Sequence, residues 1–486
     1  MKRKIYATLF YAAALMSLSC HGDLNVTQPS YILGDQMWKT SDDVGLAVNG
    51  IYTQFRLAMR RMVFNYGDLR SGLYECMVRS TNDAYVYNNI INSTIDCGTN
   101  WEPLYKTINI CNQILDQIDE IPFEDETLRS EYKGHAYFMR AYCYFTIARV
   151  WGDAPIVLKG TTSKDQEDLY PVRSPTDEVF ERVRIDLEAA EANMPVSTEH
   201  LRKASPGAIR MLKAEYYLWM ARCRGGGTDA LTTADGILDD LLDDPHYELL
   251  DDFAAIFGVA NETNRELIFT MNMARNEYTD NYTQYFFPLG SNMTDQSLIN
   301  NPVLVSTVQY KFTLEDSYKE FLRSRPEDKR VDLSFGEYVY DASTTYVWPM
   351  KFQGEWVYGV RYHSSDVILY RLAEVYLMKA EIAAALGQSE SAVSWLNRLC
   401  KRAYGVEEYY PDTLAGTQLD NAIIEEYLRE FVMECKSWWT YMRFGVVFER
   451  VPSLAGRVGE TNICLWPVYY TCITTNPNIT QTPGYN

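Results

Sequence analysis

Few residues in this chain stand at spacings that make a catalyst. The 486 residues include five histidines, His21, His135, His200, His246 and His363. No two of them form the HExxH zinc motif, and neither GxSxG nor the GxxxxGKS/T phosphate loop occurs. There is no CxxC pair, so a zinc ribbon or a thioredoxin-type site has no support. Glycosidic hydrolysis needs only two carboxylates, and 65 Asp+Glu leave that chemistry open on counting alone. The most definite chemistry belongs to Cys20. Lys2, Arg3 and Lys4 precede an apolar run from Ile5 to Leu18, too short for a span of about 20 residues. The run ends at Ser19-Cys20, as in an export signal whose cysteine is acylated during lipoprotein processing. Residues 1–19 therefore read as a lipoprotein signal peptide, and Cys20 as the lipid anchor. Their removal shifts the net charge from −20 to −23.

The other nine cysteines read as buried small apolar residues, with Cys76/Cys97 and Cys464/Cys472 the pairs that spacing allows. The acidic balance, with a pI near 4.8, disfavours nucleic acid and anionic lipid as partners. A hydrophobic fraction of 47% and a charged fraction of 23% are globular composition. The 37 tyrosines nearly double the 19 phenylalanines, and each supplies a flat ring with a polar tip. They cluster with Asp, Arg and Asn in 66–89, and with Trp in 278–358.

The elements that must position these clusters are helix pairs. Leu369, Leu372, Tyr376, Ala380 and Ala383 predict a helix over 366–386, ended by Gly387. Ser389 opens a second, with Ala392, Leu396, Leu399 and Ala403 on one face. The pair, near 34 residues with small residues at the crossing, reads as a tetratricopeptide-like unit. Further pairs span 204–243 and 100–150, a helix covers 176–193, and a last one covers about 419–443. Such pairs stack because one hairpin cannot bury its apolar stripe alone. The stretches 60–96 and 245–362 read as loop-rich insertions, with a β-type run at Leu267–Thr270. Loops on a rigid scaffold are where binding residues concentrate. The fold class is thus mainly α, with long insertions and minor β.

Several segments, in order, resemble the SusD/RagB family of outer-membrane nutrient-binding lipoproteins. They are WEPLYKTINICNQIL (101–115), RAYCYFTIARVWGDAPIVL (140–158), SPTDEVFERVRIDLEAAEANMP (174–195), ASPGAIRMLKAEYYLWMAR (204–222), ILYRLAEVYLMKAEIAAALG (368–387), EEYLREFVMECKSWWTYMRFG (425–445), LWPV (465–468) and NPNITQTPGY (476–485). Thr482 stands where the family usually has Asn, and the acidic stretch after Cys20 is thin. Arg140 and Glu374 lie in apolar helices, where paired structural charges outweigh ligand roles.

The resemblance implies one SusD-like body over 20–486, with an N-terminal region at about 20–200 and a C-terminal region at about 245–486 containing the 245–362 insertion. It implies binding rather than catalysis, with no cofactor and no metal. The ligand would be a glycan, captured at the cell surface and handed to a SusC-like TonB-dependent transporter; a peptide ligand of the RagB type is the alternative, and glycan processing a remoter one. Sugar recognition asks for flat rings against apolar sugar faces and for Asp, Asn and Arg on the hydroxyls. By likeness to the starch-binding member, Asp68, Arg79, Tyr85, Tyr87 and Asn88 are the expected contacts. Tyr282, Tyr285, Tyr346, Trp348 and Trp356 offer a second wall.

Overall fold

Short polar side chains set the helix starts. Thr40 caps helix α1 (Ser41–Met59) in a reciprocal box, its hydroxyl accepting from the Asp43 amide at 3.3 Å and the Asp43 carboxylate accepting from the Thr40 amide at 2.8 Å. α2 (Met62–Gly67) and α3 (Asp83–Tyr87) are short. α4 (Glu102–Gln117) and α5 (Glu126–Trp151) follow, the latter capped by Asp125. α6 (Thr176–Asn193), α7 (Pro206–Cys223) and α8 (Gly227–Leu242) complete the first half. Within the 245–362 insertion lies α9 (Asp316–Arg323), and after it come α10 (Leu372–Ala385), α11 (Ser389–Tyr404), α12 (Gly416–Glu430) and α13 (Ser437–Phe444).

The computed structural model describes residues 37–163, 165–197, 200–277, 279–289, 310–342 and 344–485. Thr40–Asn486 form one unit, and of the other unit, Met1–Lys39, only residues 37–39 are described. The expected signal peptide and Cys20 lie outside the described residues.

Successive helices pack on one another. α4 lies on α5, α5 on α6, α6 on α7 and α7 on α8. α8 then meets α10, which packs on α11 and α12. The expected hairpins at 100–150, 204–243 and 366–405 are all present. One interface shows why they hold: Ala373, Leu377, Ala380 and Ala383 of α10 interlock with Ala392, Leu396, Leu399 and Ala403 of α11, small residues letting the backbones approach.

Two boundaries differ from the sequence reading. Residues 367–371 are a strand, so α10 starts at Leu372 rather than near 366. The expected helix over 419–443 is two helices, α12 and α13, with the break at 431–436. There Met433 (φ 60°) and Cys435 (φ 65°) take left-handed backbone without being glycine.

The strands form antiparallel pairs. β1 (Tyr74–Cys76) pairs with β3 (Phe312–Leu314), and β2 (Leu267–Met271) with β8 (Val367–Arg371). β4 (Phe335–Asp341) pairs with β5 (Thr344–Pro349), and β6 (Glu355–Val357) with β7 (Val360–Tyr362). β3 also packs on β5, so the 66–89 segment and the β4–β5 hairpin share one strand as support. Gly336 in β4 is required where it stands: a Cβ there would fall 2.3 Å from the Trp348 ring.

All nine described cysteines are free, which corrects the two pairings that spacing allowed; Cys76, Cys97, Cys111, Cys143, Cys400 and Cys435 are buried. Arg140 and Glu374 are paired interior charges. The Arg140 guanidinium forks onto Asp186 at 2.6 and 2.8 Å, and Glu374 meets the Lys436 ammonium at 2.7 Å. The Gly152–Pro155 turn is structural: the Asp153 carboxylate accepts from the Thr176 amide and hydroxyl at 2.8 and 2.6 Å, holding the start of α6.

Candidate functional site

Burial divides the residues expected at the site into three groups. Asp68 and Tyr282 are interior. One Asp68 carboxylate oxygen accepts from the Cys435 amide at 3.0 Å, the other from the Ser437 amide at 3.1 Å. Burial pushes the Asp68 carboxyl up to about 6, although these bonds pull the other way. Tyr282 donates its hydroxyl to the Met433 carbonyl at 2.7 Å and stacks on Phe64. The Tyr74 hydroxyl accepts from the Met433 amide at 2.7 Å. Together these three side chains clamp the left-handed break between α12 and α13, and strained backbone of this kind persists only when its surroundings over-determine it. Gly67 is part of the same fit, since a Cβ there would fall 2.1 Å from the Cys435 carbonyl oxygen. Asp68 and Tyr282 are therefore removed from the contact list: their polar atoms are committed to orphaned backbone groups. Trp348 is removed too, as a core ring packed with Phe287.

The second group lies on the surface of the β1–α3 segment. Arg79 is exposed, pairs with Glu75, and holds its guanidinium 5.0 Å over the Tyr87 ring. Tyr87 donates to the Glu315 carboxylate at 2.6 Å, and burial together with that carboxylate pushes the phenol up to about 12. Tyr85 is 36% exposed. Asn88 donates to the Ala84 carbonyl at 2.7 Å, turning its amide onto its own helix and leaving its carbonyl oxygen for other partners. The base of the segment is fixed by buried Arg70, which donates to the Asn89 side chain and to the Ile463 and Cys464 carbonyls, with the Trp438 ring 4.3 Å away.

The third group lies on the two hairpins. Tyr346 faces Tyr338 in the β4–β5 register and meets Tyr310 and Tyr340 edge to face at 5.2 and 6.0 Å. Tyr340 and Trp356 are exposed, and Tyr358, at the β6–β7 turn, is 100% exposed.

β3 ties the second and third groups together. It pairs with β1 on one side, its neighbour Glu315 holds Tyr87, and the Tyr310 hydroxyl just before it accepts from the Val347 amide at 3.0 Å. Arg79, Tyr85, Tyr87 and Tyr346 thus stand on elements flanking a single strand. At the foot of the segment is a cleft of about 350 Å³ lined by Arg61, Asn82, Asp83, Tyr285 and Lys311. The Tyr285 ring has the Arg61 guanidinium at 4.9 Å and the Lys311 ammonium at 4.7 Å. Lys311 also pairs with Asp83 at 3.1 Å and Arg61 with Asp280 at 2.7 Å. Rings, cations, carboxylates and amides converge on this cleft, an arrangement suited to holding a polyhydroxylated or amide-rich solute by stacking and hydrogen bonds.

Sequence reasoning passed over Tyr310, Lys311, Glu315 and Tyr340. Alternation within 335–341 marks Tyr338 and Tyr340 as same-face strand residues. Nothing local marks Glu315, whose partner Tyr87 is 228 residues away.

The fold and this loop-borne face define a helical-repeat scaffold that carries a surface site. Comparison with known proteins agrees on the scaffold. Residues 60–217 match a family model described as starch-binding associating with outer membrane, and residues 332–485 match the SusD family. The chain belongs to the SusD/RagB family. It is 24% identical over 500 residues to a SusD-like protein of Formosa agariphila, covering 96% of both chains. It is 30% identical over 140 residues to the starch-binding protein SusD of Bacteroides thetaiotaomicron, 27% of this chain and 24% of that one. Among solved structures, B. fragilis NanU superposes with a TM-score of 0.80 at 27% identity, covering 95% of this chain and 100% of NanU. A SusD superfamily protein from Bacteroides vulgatus gives 0.79 at 26%, covering 92% and 100%. No described helix is long and apolar enough to cross a membrane.

Proposed function

We propose that this protein is a cell-surface lipoprotein, anchored at Cys20, that binds a glycan and delivers it to a SusC-like TonB-dependent transporter. The observation that carries the reading is the shared support of Arg79, Tyr85 and Tyr87 with the Tyr340–Tyr346 hairpin along β3: two sets of part-exposed rings flanked by Arg, Glu and Asn side chains. Sugar rings present apolar faces that stack on such tyrosines, and their hydroxyls take the flanking polar groups. Family membership and the starch-binding description of the matched model support the same ligand class.

The test is calorimetry of the full-length chain in detergent against oligosaccharide and peptide panels. Saturable binding of an oligosaccharide class is the expected result; binding confined to peptides overturns the glycan assignment. For delivery, co-purification of a TonB-dependent transporter from the native envelope is expected. For anchoring, Cys20→Ala should release the protein from membranes lacking the transporter.

A further inference from the structure

A second group of chemistry-bearing side chains lies outside this face. Glu131, His135 and His200 bring one ligand atom each to within 4.8 Å of one another, the one such group among the described residues. Glu131 and His135 stand one turn apart on α5 and so share a face. His200 arrives from the connection between α6 and α7. Both imidazoles aim Nε2 at the same Glu131 oxygen, His200 at 3.3 Å and His135 at 3.5 Å. Those distances exceed the roughly 2.7–2.9 Å of a charge-assisted hydrogen bond. They match the roughly 3.4 Å edge of a tetrahedron whose ligands sit about 2.1 Å from a metal.

The surroundings prepare these atoms to ligate. Tyr52 of α1 holds His135 Nδ1 at 2.8 Å from its hydroxyl, and that oxygen also accepts from the Ala204 amide at 2.8 Å. A fixed hydrogen bond on the far ring nitrogen is how metal-binding imidazoles are oriented. The nearby cation, Lys203, turns its ammonium to Asn49 at 2.8 Å. His200 is exposed, so the group is open to solvent and an ion has a route in.

We propose that Glu131, His135 and His200 bind one divalent transition-metal ion, with zinc the best match to two imidazoles and one carboxylate. Nitrogen donors argue against calcium and magnesium, which take oxygen. The ion would staple the connection between α6 and α7 to α5, at a place separate from the aromatic face.

The test uses full-length, tag-free protein in detergent, stripped with chelator and titrated with zinc chloride by calorimetry, then with cobalt(II) read by its visible absorption. One equivalent of zinc and intense tetrahedral cobalt bands are expected. His200→Ala, on a surface connection, and Glu131→Gln should each lower zinc affinity by more than about 100-fold, and Tyr52→Phe by about 10-fold, the scale of an outer-shell partner. Unchanged far-UV circular dichroism shows that each variant is folded. His246→Ala should change nothing. Sub-stoichiometric zinc, undiminished binding by His200→Ala, or loss in His246→Ala would each overturn the proposal.

Discussion

The break between α12 and α13 and the aromatic face on the hairpins use the same residue types to opposite ends. At the break, Arg371 is fully buried and donates to Glu430 at 2.6 Å, Glu434 at 2.8 Å and Glu266 at 3.0 Å. Arg330 reaches Glu426 and Glu430, Arg402 reaches Glu266 and Glu430, and Lys351 reaches Glu434. Every charge there is answered, and Asp68, Tyr74 and Tyr282 complete the clamp. On the face, Arg79, Tyr85, Tyr340 and Tyr358 keep much of their surface in water. Residue type therefore does not separate a binding site from a structural one in this chain. What separates them is burial: the polar atoms of the clamp are closed off from solvent, whereas those of the face, though several have partners in the protein, stay within reach of a solute.

That contrast can be broken experimentally. The largest effect should come from Arg371→Met. It takes one cation from each of Glu266, Glu430 and Glu434, which keep Arg402, Arg330 and Lys351 as partners, and breaking a buried pair costs about 3–5 kcal/mol; urea denaturation should show that loss, while an unchanged midpoint would mean the network is dispensable. Next, Asp68→Ala should cost about 1–3 kcal/mol by orphaning the Cys435 and Ser437 amides. Loss of glycan affinity in that variant while it remains fully folded would return Asp68 to the site. Third, Tyr85→Ala should weaken glycan binding by about 1–2 kcal/mol, borrowing the scale of aromatic stacking on bases. Its stability should stay within about 0.5 kcal/mol, as at exposed positions generally; unchanged affinity removes the segment from the site. The smallest stability effect should be Tyr358→Ala, again within about 0.5 kcal/mol, so a marked drop in melting temperature would place that ring against something structural.

The pH dependence should carry opposite signs within the clamp. The folded Asp68 carboxyl is raised from 3.8 to about 6 by burial. Its contribution is therefore full below 3.8 and lost as pH rises through about 6. Glu430 and Glu434 are held below 4.5 in the folded state by the neighbouring Arg and Lys charges that outweigh their burial. Their contribution is present above 4.5 and lost as pH falls below it. Asp68→Asn should therefore trail the parent protein by more at pH 4 than at pH 7, read as denaturation midpoints. Equal gaps would mean the folded Asp68 pKa is not raised.

The helical scaffold was largely legible in the sequence because its signal is local. Apolar stripes at steps of three and four, capping residues and glycine stops marked the α4–α5, α7–α8 and α10–α11 hairpins and the α6 boundaries. The break at 431–436 was not legible: Tyr427, Phe431, Cys435 and Trp438 keep helical spacing across it, and what interrupts the helix is a set of partners distant in sequence. The same reason misassigned Asp68 and Tyr282, whose types suit a sugar and whose duties are set by Cys435, Ser437 and Met433. Arg79, Tyr85 and Tyr87 were legible as candidates because side-chain type and likeness to a relative pointed the same way. Glu131 and His200 were not, because 69 residues separate them.

The clamp also bears on the order in which the molecule is made. Asp68 bonds to an amide 367 residues further on, Tyr74 to one 359 further on, and Tyr87 to a carboxylate 228 further on. Contacts this remote are the slowest to close in a folding chain, while the α-hairpins are the quickest. A nascent chain can assemble its helical pairs one after another, yet it has no finished candidate surface until residue 464, whose carbonyl holds Arg70, is in place. Chains cut short of that point would be helical and blind to ligand, and their unclamped 66–89 segments would be where proteases and chaperones first take hold.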